Sequence, residues 1–415
     1  MDISLPDTAI LEILKKSMSW SDISTVCTLS KHVREICREH QDLIKAHVLF
    51  NKFGRRVFLH EQYWEIGTNA ETTQKLVELG VDVSDNTIIR AAELGLLDVI
   101  RVLHRRGGDI RAQEDLVLRR AARHGHLNVV KYLLDNGADP RVDDLVLNVI
   151  FQAVLSGNIE LIRYLHENLD ISIHIDNDSC LLIAADNGDI NMVEYLLQNG
   201  ANVNTGSSQA LIDAVEMDST ELVHLLVNYQ VDVSAQDNKA IVTAAEFPDP
   251  EILQILLENG ANPNARGGLP LYISVSNLLT ENVILLLQFD AEVTGDAFVE
   301  SAVGGSLEIM RLLITADDSV IQEHGRDAML EAIDRGFHRI IRELMRSGVE
   351  FNEEYLYIAV TNNDDSTHVV RTLLENTNKE AIPDEVIKNA IRFAENENNE
   401  NIVEFLTDAF TQNMN

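Results

Sequence analysis

Cysteine, aromatic residues, basic charge and long apolar runs are all scarce in this chain. Three cysteines in 415 residues, Cys27, Cys37 and Cys180, make no disulfide framework and fit a reducing compartment. Aromatics are only 5% of the residues, which suits an Ala/Leu-packed helical stack better than a sandwich or a barrel. The apolar runs are short, as at Val283-Ile284-Leu285-Leu286-Leu287, and fall far below a membrane span. No basic stretch followed by an apolar one stands at the start, so no secretory signal is expected. These absences predict a soluble protein of the cytoplasm or nucleus.

The shortage of basic charge is uneven. Residues 1–131 hold 19 Lys/Arg and 18 Asp/Glu, whereas residues 132–415 hold 14 and 49, a net charge of −35. Phosphate backbones attract basic surfaces, so nucleic acid is a poor expectation for the acidic part. An acidic array suits either a basic patch on a protein partner or plain solvation, and both readings stand. Against that background one stretch is positive: Arg101, Arg105, Arg106, Arg111, Arg119, Arg120, Arg123 and Lys131. Arg105, Arg106, Arg119, Arg120 and Arg123 would make a docking patch for an acidic segment. The alternative is ordinary helix-surface arginine whose stems cover apolar neighbours.

What is abundant is self-similarity. A small or apolar pair recurs at Ala91-Ala92, Ala121-Ala122, Ala153-Val154, Ala184-Ala185, Ala214-Val215, Ala244-Ala245, Ser274-Val275, Ala302-Val303, Ala332-Ile333, Ala359-Val360 and Ala390-Ile391. The steps run from 27 to 32 residues, and a Leu-Leu pair follows in phase, as at Leu133-Leu134 and Leu256-Leu257. A fixed period of this size signals a stacked repeat. Each tile reads as two short helices. The small pair permits close approach of a neighbour, and a glycine such as Gly125 permits the tight turn. Leu127, Val129, Val130, Leu133 and Leu134 then make one apolar face. A short polar residue six positions before the pair (Asp85, Asp115, Asp178, Ser208, Asn238, Asp296, Asp384) is expected to cap the first helix. Two short helices cannot bury both faces alone, so the tiles must stack.

The stretches GHLNVVKYLLDNGADP (125–140), NGDINMVEYLLQNGANVN (187–204) and PEILQILLENGANPN (250–264) resemble the second half of ankyrin repeats, and the resemblance spans roughly residues 71–410. It implies an all-α solenoid that binds protein, here as about 11 repeats over 71–412. The chain departs from the family in its first half. The usual Thr-Pro-Leu-His turn survives only in part, at Gly268-Leu269-Pro270-Leu271-Tyr272. The period lies nearer 30 than 33, so the fingers between helix pairs should be short. In this the tiles are similar to ankyrin proteins that giant viruses of amoebae encode. The resemblance also places Asn204 and Asn264 at a loop position that an asparaginyl hydroxylase modifies in some ankyrin proteins; a structural loop asparagine is the alternative.

The repeat does not reach residues 1–50. Ile10, Leu11, Ile13 and Leu14 mark a first helix, with Ser19 or Ser21 capping a second. Ile23, Val26, Cys27, Leu29, Val33, Ile36 and Cys37 continue that helix, and Leu43, Ile44, Val48 and Leu49 supply a third. Leu5-Pro6, the apolar first helix, Asp22-Ile23 and Ser30-Lys31-His32-Val33-Arg34 together resemble an F-box. Thr8 replaces the usual Glu, and the usual Trp is missing near Leu43 to Lys45. The resemblance implies docking onto a Skp1-like adaptor through Leu5, Pro6, Ile10, Leu11, Leu14, Ile23 and Val26. The array would then hold a target for a ubiquitin ligase, a role that needs proximity and no reactive residue in this chain. A helical cap on a scaffold or sequestering array is the alternative. Residues 51–70 carry Phe53, Phe58, Tyr63 and Trp64 and read as a packed connector.

No reaction chemistry is legible. His124-Gly125-His126 lacks a second His/Cys cluster at zinc spacing. Cys27, Cys37 and Cys180 sit among apolar positions and read as core. Val303-Gly304-Gly305-Ser306 is a turn, not a phosphate loop. No enzyme activity, cofactor or metal is expected.

Overall fold

The computed structural model describes residues 6–16, 20–28, 31–65, 69–141, 148–361, 367–377, 382–397 and 399–412, and these are helical throughout, without a strand. They fall into two compact units, 1–202 and 203–415.

The first unit opens with four short helices, α1 (Asp7–Lys16), α2 (Trp20–Thr28), α3 (Lys31–Glu39) and α4 (Gln41–Phe53). The expected middle helix is thus two. Ile10, Leu14, Ile23, Ile36, Ile44 and Val48 form one buried core, with Leu11, Val26, Cys27, Val33 and Cys37 packed at its edge. Cys27 on α2 and Cys37 on α3 are joined, with Sγ–Sγ 2.08 Å and Cα–Cα 6.1 Å. That corrects the reading of both as free core thiols, and the cysteines no longer argue for a reducing compartment. Fewer than 50 residues bury little apolar area, so a cross-link between two short helices compensates for a thin core.

Residues 54–65 form a short 3-10 helix over Gly54–Leu59 followed by α5 (Glu61–Glu65). Tyr63 is fully buried, edge-on to Phe58 at 4.9 Å and to Trp64 at 4.6 Å, and Trp64 Nε1 donates to the Phe58 carbonyl at 3.2 Å. Helix α6 (Ala70–Glu78) packs on α4. Asp42 of α4 fixes the contact by accepting from Asn69 Nδ2 and Thr72 Oγ1, both at 2.8 Å.

Paired helices follow: α7 (Asp85–Glu93) with α8 (Leu97–Arg105), α9 (Ala112–Arg123) with α10 (Leu127–Asp135), α11 (Val149–Leu155) with α12 (Ile159–Arg163, prolonged by a π turn over Tyr164–Asn168), and α13 (Ser179–Asp186) with α14 (Ile190–Gln198). First helices pack on first helices through their small pairs; Ala91, Ala92, Ala121 and Ala122 have no exposed surface. Helix α10 shows how a second helix is made. Val129, Val130 and Leu133 are buried, and Gly137 at φ +94 ends the helix as Ala138 N–H returns to the Leu133 carbonyl at 3.0 Å.

The second unit repeats the pairing. It holds α15 (Thr205–Glu216) with α16 (Thr220–Asn228), α17 (Ala235–Ala244) with α18 (Glu251–Glu258), α19 (Ala265–Ser276) with α20 (Thr280–Gln288), α21 (Gly295–Val303) with α22 (Leu307–Ala316), α23 (Val320–Asp334) with α24 (His338–Arg346), α25 (Glu353–Thr361) with α26 (Thr367–Glu375), and α27 (Asp384–Asn396) with α28 (Glu400–Gln412).

The connectors between pairs carry no hairpin strands among the described residues. Several are single left-handed turns of three residues, at Gln113–Asp115, Asp176–Asp178, Ser207 with its neighbours Gly206 and Ser208, Gln236–Asn238 and Arg266–Gly268. Left-handed backbone costs an L-residue roughly 1–2 kcal/mol, least for Gly, Asn and Asp, which dominate here. Each turn is closed by a backbone bond four residues back, as from Asn238 N–H to the Ser234 carbonyl at 2.9 Å. The capping expectation is corrected accordingly. Asp115, Ser208 and Asn238 end left-handed turns, and Asp85, Asp296 and Asp384 lie inside first turns, where Ser84 and Thr294 do the capping for the first two.

Candidate functional site

Two surfaces stand out among the described residues. The first is the four-helix module. Of the residues expected to meet an adaptor, Leu5 lies outside the described residues and Pro6 is exposed. Ile10, Leu14 and Ile23 are buried in the module's own core, while Leu11 and Val26 are half-buried beside it. Ile13, also on α1, is 49% exposed. Two polar ties hold α1: His32 Nε2 against Asp7 Oδ1 at 2.7 Å, and Asn51 Nδ2 to the Lys15 carbonyl at 2.7 Å. A cavity of about 300 Å³ lies beside the disulfide, lined by Ile23, Arg34, Arg38, Gln41 and Ile44.

The second surface belongs to the helix pairs. The expected arginine patch divides between two elements. Arg105 and Arg106 are exposed at the end of the second helix α8, with Arg106 3.9 Å from Glu78. Arg119, Arg120 and Arg123 lie on the first helix α9. Arg119 is buried and donates to the carbonyls of Gln113 and Glu114, so it staples the left-handed turn instead of facing a partner. Arg120 sits 3.5 Å from Glu93, and Arg123 donates to Gln152 Oε1 at 3.2 Å. Arg123 alone of these three is exposed.

Sequence reasoning missed a ladder on the second helices of the first unit. Arg101 lies over the Tyr132 ring at 5.6 Å, Lys131 over Tyr164 at 4.7 Å, and Arg163 over Tyr195 at 5.4 Å. The signal was present as a cation ten residues, and a tyrosine eleven residues, after the small pair in adjacent tiles. Burial, then the hydrogen bond to Glu167, pushes the Tyr195 phenol up to about 12.

The candidate reactive groups have structural partners. His126 Nε2 pairs with the Glu93 carbonyl at 2.9 Å, and its ring covers Gly95, where a Cβ would meet it at 2.6 Å. Among the described residues no group of three His, Cys, Asp or Glu side chains is placed to hold a metal ion. Cys180 is buried, which raises its thiol to about 12. Asn204 Oδ1 accepts from Asp232 N–H at 2.8 Å, and Asn264 Oδ1 from Glu292 N–H at 2.7 Å, so each ties one connector to the next. No helix among the described residues is long and apolar enough to cross a membrane.

The family model of ankyrin repeats matches residues 63–144, 150–237 and 211–297, and the chain belongs to the ankyrin-repeat family. It is similar to the ankyrin repeat and KH domain-containing protein mask-1 of Caenorhabditis elegans, 27% identical over 128 residues, which are 31% of this chain and 5% of that protein. It is also similar to palmitoyltransferase AKR1 of Lachancea kluyveri, 38% identical over 104 residues, 23% of this chain and 14% of that protein. The chain thus spans a small fraction of these relatives. Among solved structures, the ankyrin repeat domain of human ASB11 aligns at 22% identity and a TM-score of 0.41, covering 50% of this chain and 99% of that domain.

Proposed function

We propose that this ankyrin-repeat protein is a protein-interaction adaptor whose N-terminal module docks a Skp1-like protein and whose helix pairs hold a target for ubiquitin transfer. The carrying observation is a compact four-helix module, opening with α1 at Asp7, bolted ahead of an ankyrin array by Asp42, Asn69 and Thr72. Within this reading the adaptor-facing surface runs over Pro6 and the exposed side of α1 with Ile13, since Ile10, Leu14 and Ile23 are committed to the core. The chain would act by approximation, with no catalytic group, cofactor or metal of its own. A viral source, with the target and adaptor supplied by a host cell and action in its cytoplasm or nucleus, belongs to the same reading.

One observation favours the second reading, a scaffold with a helical cap. Helix α4 packs directly on α6, as an end cap of a solenoid must. Affinity capture from a eukaryotic host distinguishes the two. Wild type should retain a Skp1-like protein, and both Leu5→Ala/Pro6→Ala and Ile13→Asp should lose it. A folded wild type that retains none leaves the capped scaffold.

A further inference from the structure

In most pairs the turn from first to second helix carries a left-handed glycine, as at Gly125 (φ +71). Three consecutive turns of the second unit depart from this. The corresponding residues are Asp218 at φ +53, Pro248, and Leu278 at φ +59. A bulky side chain at positive φ is a backbone outlier, and such outliers gather where a side chain is needed for contact. Leu278 is nevertheless 47% exposed. Gly304 of the next pair makes room for it, because a Cβ there would lie 2.7 Å from Leu278 Cδ2. Met217, 40% exposed, and the half-buried Phe247 stand on the two preceding turns. Asn282 Nδ2 holds the Phe247 carbonyl at 2.9 Å, and Pro248 and Pro250 stiffen the same turn.

The turns that carry these three side chains are acidic. Glu216, Asp218, Glu246 and Asp249 are all exposed. Only Glu216 has an ion-pair partner among the described residues, Lys239 at 2.8 Å. Solvation alone explains the carboxylates but not an exposed leucine held in left-handed backbone.

We propose that Met217, Phe247 and Leu278 form a docking ridge for a basic amphipathic helix of a partner protein. The proposal rests on the protein-binding reading above and names the partner's chemistry. Packed helices stack about 8–10 Å apart, and seven residues of α-helix rise about 10.5 Å. A helix with apolar residues seven apart therefore places one anchor on each turn, with Lys and Arg beside them facing the carboxylates. The same carboxylates repel nucleic acid and anionic lipid.

The test uses the purified full chain and a fluorescent synthetic helix of about three heptads, with Leu at every seventh position and Lys around it, read by anisotropy at physiological salt. Wild type should bind. Leu278→Gly and Glu246→Lys should each weaken binding about tenfold or more. Glu404→Lys, an equal charge change on α28, should leave it unchanged, and a peptide with Ser for Leu should bind at least tenfold more weakly. Leu278→Gly restores the residue that other turns use, so its loss of binding cannot be a folding defect; its melting temperature checks this. No binding by wild type, equal binding by Leu278→Gly, or equal binding of the Ser peptide overturns the ridge. Adaptor capture on the same preparation reports the N-terminal module independently, so the two failures remain distinct.

Discussion

The two units build the same helix pair and join one pair to the next by different chemistry. In the first unit, cations and tyrosines interleave along the second helices: Arg101 on Tyr132, Lys131 on Tyr164, Arg163 on Tyr195. At the corresponding places the early pairs of the second unit have His224 with Leu225, Gln254 with Ile255 and Ile284 with Leu285. Ties there run through the connectors, as at Asn264, and further along through Arg311–Glu343 and Arg326–Glu354 at 2.8 and 2.7 Å, with a cation over a ring again where Arg371 lies 5.1 Å from Phe405. The turns differ likewise: glycine sits under a neighbour's side chain at Gly95 and Gly125 of the first unit and returns at Gly305 under Phe337, but the first three turns of the second unit carry Asp218, Pro248 and Leu278 instead. The fold therefore constrains the buried face alone. Residues outside that face are free to be spent on stability in one unit and on exposure in the other.

The comparison breaks first if the cores are unlike. Leu133→Ala and Leu286→Ala, both fully buried, should each cost about 2–5 kcal/mol by chemical denaturation. A much smaller cost in one unit would mean that its core is not close-packed. The turn position should then show opposite signs. Gly95→Ala forces a Cβ to 2.6 Å from the His126 ring at φ +70 and should destabilise by roughly 1–2 kcal/mol. Leu278→Gly relieves left-handed backbone and should stabilise by about 1 kcal/mol. Calorimetry on the two variants reads both signs, and a matching sign would remove the distinction between the turns.

The ladder should be worth less. Tyr164→Leu keeps bulk but removes the face under Lys131, and should cost about 0.5–1 kcal/mol. Equal stability in a denaturant titration would reduce the ladder to coincidence. The smallest effect is pH-dependent. Arg311 beside Glu343 holds that carboxyl below its ordinary value of 4.5. The contribution is therefore complete above the ordinary glutamate range and fades as pH falls through the lowered value. The gap in melting temperature between wild type and Arg311→Ala should close between pH 7 and acid; a constant gap would point to packing instead. As a control on chemistry, Cys180 should resist alkylation at pH 8 until the chain unfolds, because burial holds its thiol near 12.

The repeat was legible because burial is periodic. Small pairs must sit where first helices touch, so Ala91-Ala92 and its echoes mark helix pairs in the sequence alone. Apolar spacing in Leu127–Leu134 likewise determined a second helix, and Gly137 its end. Local sequence also carried the low cost of left-handed backbone at Asp and Asn, but not its use, so a capping role was expected where a three-residue turn stands. Which surface residues meet was decided only by stacking. Arg119 looked like its neighbours on α9, yet its position on the helix buries it against the Gln113–Glu114 carbonyls, while Arg123 stays in solvent. Cys27 and Cys37 read as two core thiols until the break between α2 and α3 brought them together. Ile10, Leu14 and Ile23 read as a face for a partner until α3 and α4 closed over them. Periodicity is a property of one helix and is written in the chain; the identity of a side chain's neighbour depends on which helices pack against it, and that is fixed only when the whole stack has formed.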